Sequence, residues 1–155
     1  MLLFTIIYKL FMIRCTKTIS FDAAHRIIGH EGRCKYLHGH RYDCQVTFVS
    51  ERLNEMGMVI DFGHIKDKLG KWINENFDHN LILSKNDVQL IDSLKDNLDQ
   101  RIYIMDKTPT AENMALHILH DICPKLFQNE KAYCEKIRLY ESANSYVEVY
   151  RESPK

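Results

Sequence analysis

Three histidines and one cysteine in the first third of the chain are the residues whose types and spacing could do chemistry. His38 and His40 are separated by one residue, His25 lies upstream, and Cys34 lies between them. Three imidazole ligands that leave one position open for water or substrate are typical of a catalytic zinc, whereas structural zinc sites are closed by four protein ligands. The pattern therefore predicts a catalytic metal centre with Cys34 as a candidate acid/base beside it.

The His-x-His pair opens a segment in which apolar and polar residues alternate. A period of two predicts a half-buried strand over about residues 40–50, and side chains two apart on a strand share a face. His38 and His40 would then project side by side, with His25 supplied by a neighbouring strand. The alternative is that the pair lies at a strand end without binding a metal. Only the number of ligands and their geometry can confirm a metal site. The apolar positions of the segment are Tyr42, Cys44, Val46 and Phe48.

Five short motifs occur in a fixed order along most of the chain. They are FDAAH at 21–25, C-x-x-x-H-G-H at 34–40, DHN at 78–80, PTAE at 109–112 and LYE at 139–141. In this order they resemble the 6-pyruvoyl-tetrahydropterin synthase superfamily over about residues 17–150. Pyruvoyl-forming members have a longer insert between the cysteine and the histidine pair. The short spacing from Cys34 to His38 is therefore more similar to the 6-carboxy-tetrahydropterin synthases of the queuosine pathway.

The resemblance implies roles for the first two motifs. His25, His38 and His40 match the family's zinc ligands, and Cys34 matches its proton-transferring cysteine. A nearby dication favours the thiolate, which can accept a proton near neutral pH. The alternative for a lone cysteine is that it serves only as packing.

Asp78 and His79 follow the first predicted helix and match further catalytic residues of the family. An aspartate can hold an imidazole in one tautomer, so that the histidine can shuttle a proton. Adjacent residues need not bond to each other, and the alternative is a pair of unrelated loop residues. The family often has a second histidine where Asn80 stands, and we assign Asn80 no role.

Glu141 ends a predicted strand whose inward face carries Ile137 and Leu139. A buried carboxylate needs a partner. The resemblance implies that Glu141 belongs to the catalytic site and binds adjacent N–H donors of a pterin ring, for which a bidentate carboxylate is well suited. The alternative is a strand-end glutamate turned to solvent. Thr110, at the start of the second long helix, is implied to help bind the ring from a neighbouring subunit.

Composition indicates an ordinary globular protein. The 155 residues carry 21 Lys plus Arg and 21 Asp plus Glu, so no basic excess indicates a nucleic-acid partner. The five cysteines are odd in number and form no C-x-x-C pair, which argues against a disulfide framework and favours a reduced, cytoplasmic setting. Because the net charge is zero, the negative charges of a triphosphate substrate would have to be bound by a few nearby basic residues. Arg26, Arg33 and Lys35 are candidates by proximity alone.

The predicted elements give an α+β domain with the order ββααββ. Two amphipathic helices on one face of an antiparallel four-stranded sheet follow from this order, and this is the T-fold that the resemblance implies. Exposed sheet edges invite pairing with another chain. The resemblance implies intersubunit β-barrels and a homohexamer built as a dimer of trimers. The strands are expected at about 13–22, 40–50, 136–141 and 145–151, the long helices after Asp61 and from 108, and a short helix and strand between 81 and 105.

Residues 1–11 are apolar but lack the features of an export signal. No basic region precedes the apolar run, Lys9 interrupts it, and it is too short to span a membrane as a helix. We expect these residues to be disordered or to lie upstream of a true start at Met12. Residues 12–155 would then form a single domain.

The resemblance implies a zinc-dependent carbon–carbon lyase. It would convert 7,8-dihydroneopterin triphosphate to 6-carboxy-5,6,7,8-tetrahydropterin, acetaldehyde and triphosphate, without nucleic-acid or membrane partners. Pocket shape, more than the shared catalytic residues, would determine the product. The alternatives are therefore a 6-pyruvoyl-tetrahydropterin synthase and a noncatalytic zinc- or pterin-binding T-fold protein.

Overall fold

A six-stranded mixed sheet forms the centre of the fold. The structure, a computed structural model, describes residues 11–97 and 99–151, so the expected extension at 1–11 lies, apart from Phe11, outside the described residues. The strand order across the sheet is β4-β3-β1-β2-β5-β6. The strands are β1 (Ile13–His25), β2 (His38–Ser50), β3 (Asn80–Ser84), β4 (Ile102–Met105), β5 (Tyr133–Ser142) and β6 (Ser145–Tyr150).

The antiparallel pair β1 and β2 is the longest ladder of the sheet. Its register extends from Ile13 opposite Ser50 to His25 opposite His38. The alternation predicted for β2 is confirmed, because its four apolar positions are fully buried on one face. Both strands are longer than predicted, and the extra residues carry His25 and His38, which join His40 at the end of the ladder.

The prediction of a four-stranded antiparallel sheet is wrong. β3 pairs in parallel with β1, and β4 pairs in parallel with β3, so the sheet is mixed. All five residues of β3 are buried. A strand that is covered on both faces has no apolar–polar alternation, and the pattern over Asn80–Ser84 therefore carried no signal with a period of two.

Two long helices and one short helix complete the domain. Helix α1 (62–76) and helix α3 (111–126) each contain a π-helical segment, Lys66–Gly70 and Ile118–Ile122 respectively. Helix α2 is Val88–Asn97. Asp61 is confirmed as the N-cap of α1, because its Oδ1 accepts a hydrogen bond from the backbone N–H of Gly63.

Two hydrophobic clusters lie on opposite faces of β3. The main core joins α1 and α3 to one face of β1, β2 and β5, so the two long helices share a face as predicted. In β3, Ile82 belongs to this core, whereas Leu81 and Leu83 pack with α2 on the other side. No helix within the described residues is long and apolar enough to cross a membrane.

Candidate metal and pterin site

Three histidine side chains converge at the end of the β1–β2 ladder. His25 lies directly opposite His38, and His40 lies opposite Ala23, so all three project from the core-facing side of the two strands. One nitrogen from each ring lies within 4.8 Å of the other two. The ring centroids are separated by 4.6 Å for His25–His38 and 5.0 Å for His38–His40. This cluster could hold a metal ion.

His25 is the buried member of the cluster, with 1 % of its surface exposed. Burial lowers the pKa of its imidazole below the ordinary value, although the carbonyl group of Pro109 acts in the opposite direction. His25 Nδ1 lies 2.7 Å from this carbonyl oxygen. The Nδ1–H group therefore donates, and Nε2 presents its lone pair towards the cluster.

His38 has a similar local arrangement, and His40 completes the cluster. His38 Nδ1 lies 2.8 Å from the carbonyl oxygen of Tyr36, which leaves its Nε2 as the available lone pair. A neutral imidazole with one nitrogen fixed by a backbone carbonyl is the usual form of a metal-binding histidine. The donor types and their orientation in this cluster fit a metal ion.

Glu141 and Tyr42 lie next to the histidine cluster. The Oε1 atom of Glu141 lies 3.6 Å from His25 Nε2 and 3.9 Å from His40 Nε2. The Tyr42 hydroxyl lies 3.4 Å from His25 Nε2, and burial together with the charge of Glu141 raises the pKa of Tyr42. Glu141 therefore lies towards the histidines, and one third of its side-chain surface remains exposed.

A second pair of titratable groups lies where α1 meets β3. Asp78 Oδ2 lies 2.9 Å from His79 Nδ1, so these adjacent residues do bond to each other. Asp78 Oδ1 accepts from the backbone N–H of Asp22, and the His79 N–H donates to the Asp22 carbonyl. Burial opposes ionisation of Asp78, but these donors and the charges of His79 and Arg41 outweigh it and lower its pKa.

His79 has a backbone conformation that is unusual for a residue other than glycine. Its φ is +56°, in the left-handed region. Such conformations persist where surrounding contacts hold them and are concentrated at functional sites. The hydrogen bonds to Asp22 and Asp78 hold this one, and the largely exposed residue lines a shallow cleft whose lining also includes His40.

Cys34 lies in a short 3-10 turn, Arg33–Lys35, within the connection from β1 to β2. The N–H of Ile27 donates to the Cys34 carbonyl at 2.8 Å, which brings the turn back to a point two residues after His25. The thiol is free and partly exposed. Arg26, a candidate for binding phosphate, instead makes a bidentate ion pair with the buried carboxylate of Asp87.

Thr110 caps helix α3, since its Oγ1 accepts from the N–H of Asn113 at 3.3 Å. This cap places the adjacent Pro109 carbonyl against His25. The sequence patterns did not indicate Pro109 or Asp22 as site residues, because both act through backbone atoms. Tyr42 could have been found, since it lies two residues after His40 on the same face of β2.

The chain matches known proteins over most of its length. Residues 14–152 match the family model described as 6-pyruvoyl tetrahydropterin synthase. A protein of Rickettsia bellii named 6-carboxy-5,6,7,8-tetrahydropterin synthase is 48% identical over 89% of this chain and 100% of its own length. A protein of the same name from Haemophilus influenzae is 34% identical over 91% of this chain and 100% of its own length.

Solved structures show the same fold at low sequence identity. An uncharacterized protein from Wolinella succinogenes superposes with a TM-score of 0.79 at 21% identity, covering 92% of this chain and 99% of its own. The Caenorhabditis elegans 6-pyruvoyl tetrahydropterin synthase gives 0.66 at 18% identity, with coverages of 92% and 98%. These likenesses show that the chain shares its overall fold with these proteins.

Proposed function

The chain belongs to the 6-pyruvoyl tetrahydropterin synthase family, and we propose that it acts as a zinc-dependent 6-carboxy-5,6,7,8-tetrahydropterin synthase. The reaction takes 7,8-dihydroneopterin triphosphate and one water to 6-carboxy-5,6,7,8-tetrahydropterin, acetaldehyde and triphosphate. It is a carbon–carbon lyase reaction that serves 7-deazaguanine synthesis in the queuosine pathway. The observation that supports this proposal most directly is the convergence of three histidine rings beside Glu141 on a chain that matches relatives of that name.

His25, His38 and His40 would hold the zinc ion. Burial keeps His25 neutral, as a ligand must be, and backbone carbonyls occupy Nδ1 of His25 and His38. Zinc bound by three imidazoles supplies Lewis acidity, which polarises the side-chain hydroxyls of the substrate and acidifies the neighbouring C–H groups.

Cys34 and His79 are the proposed proton-transfer groups. Cys34 removes a proton from the substrate side chain, for which a thiolate is suited near neutral pH. His79 would give and take a proton at a second position of the substrate. Asp78 holds His79 Nδ1–H, so that Nε2 is the nitrogen that exchanges the proton.

Glu141 is the proposed anchor for the pterin ring. Its carboxylate faces the histidine cluster and has one third of its side-chain surface exposed. Two N–H donors on the edge of the heterocycle match the two carboxylate oxygens. The side chain of the substrate would then be directed towards the histidines. Thr110 is proposed to contact the ring of a neighbouring subunit from its position at the start of α3.

The assembly that we propose is a hexamer of two stacked trimers in the cytoplasm. The exposed edges of β4 and β6 are the surfaces through which sheets of neighbouring chains would join into barrels. Such an assembly would bring Thr110 of one chain towards the site of another.

Product analysis tests the proposed reaction directly. Zinc-loaded protein is incubated with 7,8-dihydroneopterin triphosphate, and the products are identified by mass spectrometry. Acetaldehyde and 6-carboxy-tetrahydropterin in equal amounts are the expected result. Formation of 6-pyruvoyl-tetrahydropterin without acetaldehyde would assign the chain to the pyruvoyl-forming branch. Zinc binding without turnover would instead indicate a binding protein on the same scaffold.

A further inference from the structure

The connection between β1 and β2, residues 26–37, begins with an ion pair to a buried carboxylate. Arg26 is the first residue after β1, and its Nε lies 2.5 Å from Asp87 Oδ2, while a terminal guanidinium nitrogen donates to Asp87 Oδ1. The side chain of Asp87 is 3 % exposed and that of Arg26 is 29 % exposed. Breaking this pair by removing one partner would leave an uncompensated charge, and for Asp87 that charge would be buried.

Asp87 is a fixed partner for this arginine. It lies between β3 and α2, where its N–H donates to the Ser84 carbonyl at 2.9 Å and its carbonyl accepts from the N–H of Ile91 at 3.0 Å. β3 pairs in parallel with β1, with Ile82 opposite His25. The ion pair therefore joins the start of the connection to a backbone position that is bonded to both β3 and α2.

The residue after Arg26 is bonded to the turn that carries Cys34. The N–H of Ile27 donates to the Cys34 carbonyl at 2.8 Å, and the turn itself is closed by the N–H of Lys35, which donates to the Gly32 carbonyl. A bond within the connection gives the turn its shape but does not fix it relative to the rest of the domain. The ion pair does so, because it anchors the residue that precedes Ile27.

The same pair argues against a phosphate-binding role for Arg26. Its positive charge is offset by Asp87, and a guanidinium that moved to a phosphate would leave the carboxylate buried and unpaired. A bidentate arginine–carboxylate contact also fixes the orientation of the guanidinium plane. The contacts of Arg26 are therefore those of an anchor and not of a ligand for the substrate.

We propose that Arg26 is a positioning residue, which through its ion pair with Asp87 holds the Cys34 turn at the end of β1. This inference rests on the proposed function, in which Cys34 transfers a proton beside the zinc ion. The metal ligands belong to the β1–β2 ladder, which remains when the pair is lost. Loss of the pair would therefore displace the thiol and leave the metal in place. A displacement of about 1 Å at a reacting group can lower the rate by about 10²-fold.

The test replaces the ion pair with two neutral amides. Arg26→Gln/Asp87→Asn removes both charges together, so that no uncompensated charge stays buried. Arg26→Lys keeps the charge but loses the planar two-point contact. The matched control is Glu135→Gln, which removes the carboxylate from the bidentate pair with Arg14, at 2.6 and 2.7 Å, near the opposite end of β1.

Zinc content, kcat, KM and hydrogen exchange of the peptide that covers residues 26–37 are measured for each variant. The double variant should keep about one zinc per chain and lose about 10–100-fold in kcat, with KM within about threefold of the wild type. Exchange in residues 26–37 should be faster, whereas exchange in β1 should not change. Arg26→Lys should lie between the wild type and the double variant, and Glu135→Gln should keep the wild-type kcat.

Three results would overturn the inference. Wild-type kcat and exchange in the double variant would show that the pair does not hold the turn. An equal loss of kcat in Glu135→Gln would assign the effect to a general loss of stability. Loss of zinc together with kcat would place the effect at the histidine cluster and not at Cys34.

Two further measurements keep the test decisive. If the double variant does not fold, Asp87→Asn alone is held to the same expectations, because the partly exposed Arg26 can then turn to solvent. If the wild-type protein has no turnover with 7,8-dihydroneopterin triphosphate, the proposed function fails. Hydrogen exchange in the double variant then decides separately whether the pair anchors the turn.

Discussion

His25 Nδ1 lies 2.7 Å from the carbonyl oxygen of Pro109, a contact that joins residues 84 positions apart in the chain. It links the end of β1 to the segment that precedes helix α3. Thr110 caps this helix, so the start of α3 determines where the Pro109 carbonyl lies. The direction of His25 Nε2 therefore depends on a helix that contributes no side chain to the histidine cluster.

Removing any one of the three histidines should abolish metal binding. In His25→Ala, His38→Ala and His40→Ala, bound zinc should fall from about one per chain to near zero after dialysis, because two imidazoles do not make a closed or catalytic zinc site. Elemental mass spectrometry measures the content. His120→Ala, at an exposed histidine of α3, is the matched control and should keep its zinc. Full zinc content in His25→Ala would refute the assignment.

The stability of the metal-free protein should fall as the pH decreases through about 6.5. Burial lowers the pKa of folded His25 below its ordinary value of 6.5. Below that value the unfolded state takes up a proton that the folded state does not, so the free energy of unfolding decreases. Urea unfolding with EDTA at pH 7.5 and 5.5 measures the change. The decrease in the free energy of unfolding between these two pH values should be smaller in His25→Gln. An unchanged decrease would contradict the assignment of the effect to His25.

Replacing His79 should reduce turnover without removing the metal. His79→Asn is the preferred variant, because asparagine tolerates the left-handed conformation that this position requires. We expect kcat to fall by about 10²–10⁴-fold, the usual contribution of a general acid or base, while zinc content stays at the wild-type level. His120→Asn serves as the control and should keep the wild-type kcat. If the kcat of His79→Asn is within about twofold of the wild type, His79 has no part in the mechanism.

Cys34→Ala should stop the reaction while leaving the fold and the metal in place. The thiol is partly exposed on a short turn, so its loss opens no core cavity. Steady-state turnover, zinc content and thermal midpoint are measured together. Cys15→Ala changes another partly exposed thiol, near the opposite end of β1, and should retain full activity. Normal turnover in Cys34→Ala would show that another group transfers the proton.

The sequence predicted those parts of the site that depend on local periodicity. The alternation of β2 placed His38 and His40 on one face, and Asp61 marked the start of α1; the structure confirms both. β3 was missed, because burial on both faces leaves no alternation over Asn80–Ser84. The parallel pairing of β3 with β1 was therefore missed as well.

The contacts that orient the site could not be read from residue spacing. The carbonyl of Pro109 and the backbone groups of Asp22 act through the main chain, which every residue type supplies. The left-handed turn at His79 depends on partners from β1 that are distant in sequence. The sequence could identify the chemically competent side chains, but their orientation is a property of the tertiary fold.

Because β3 is covered on both faces and begins directly after His79, the corner that holds Asp78 and His79 has little freedom to open by itself. Amide hydrogens of Leu81, Ile82 and Leu83 should exchange with solvent only through rare openings that approach complete unfolding. The time that the catalytic corner spends correctly assembled is therefore tied to the stability of the whole domain. A core substitution far from the histidines would lower the free energy of opening this corner by about the global stability that it removes, so the open fraction would increase exponentially with that loss.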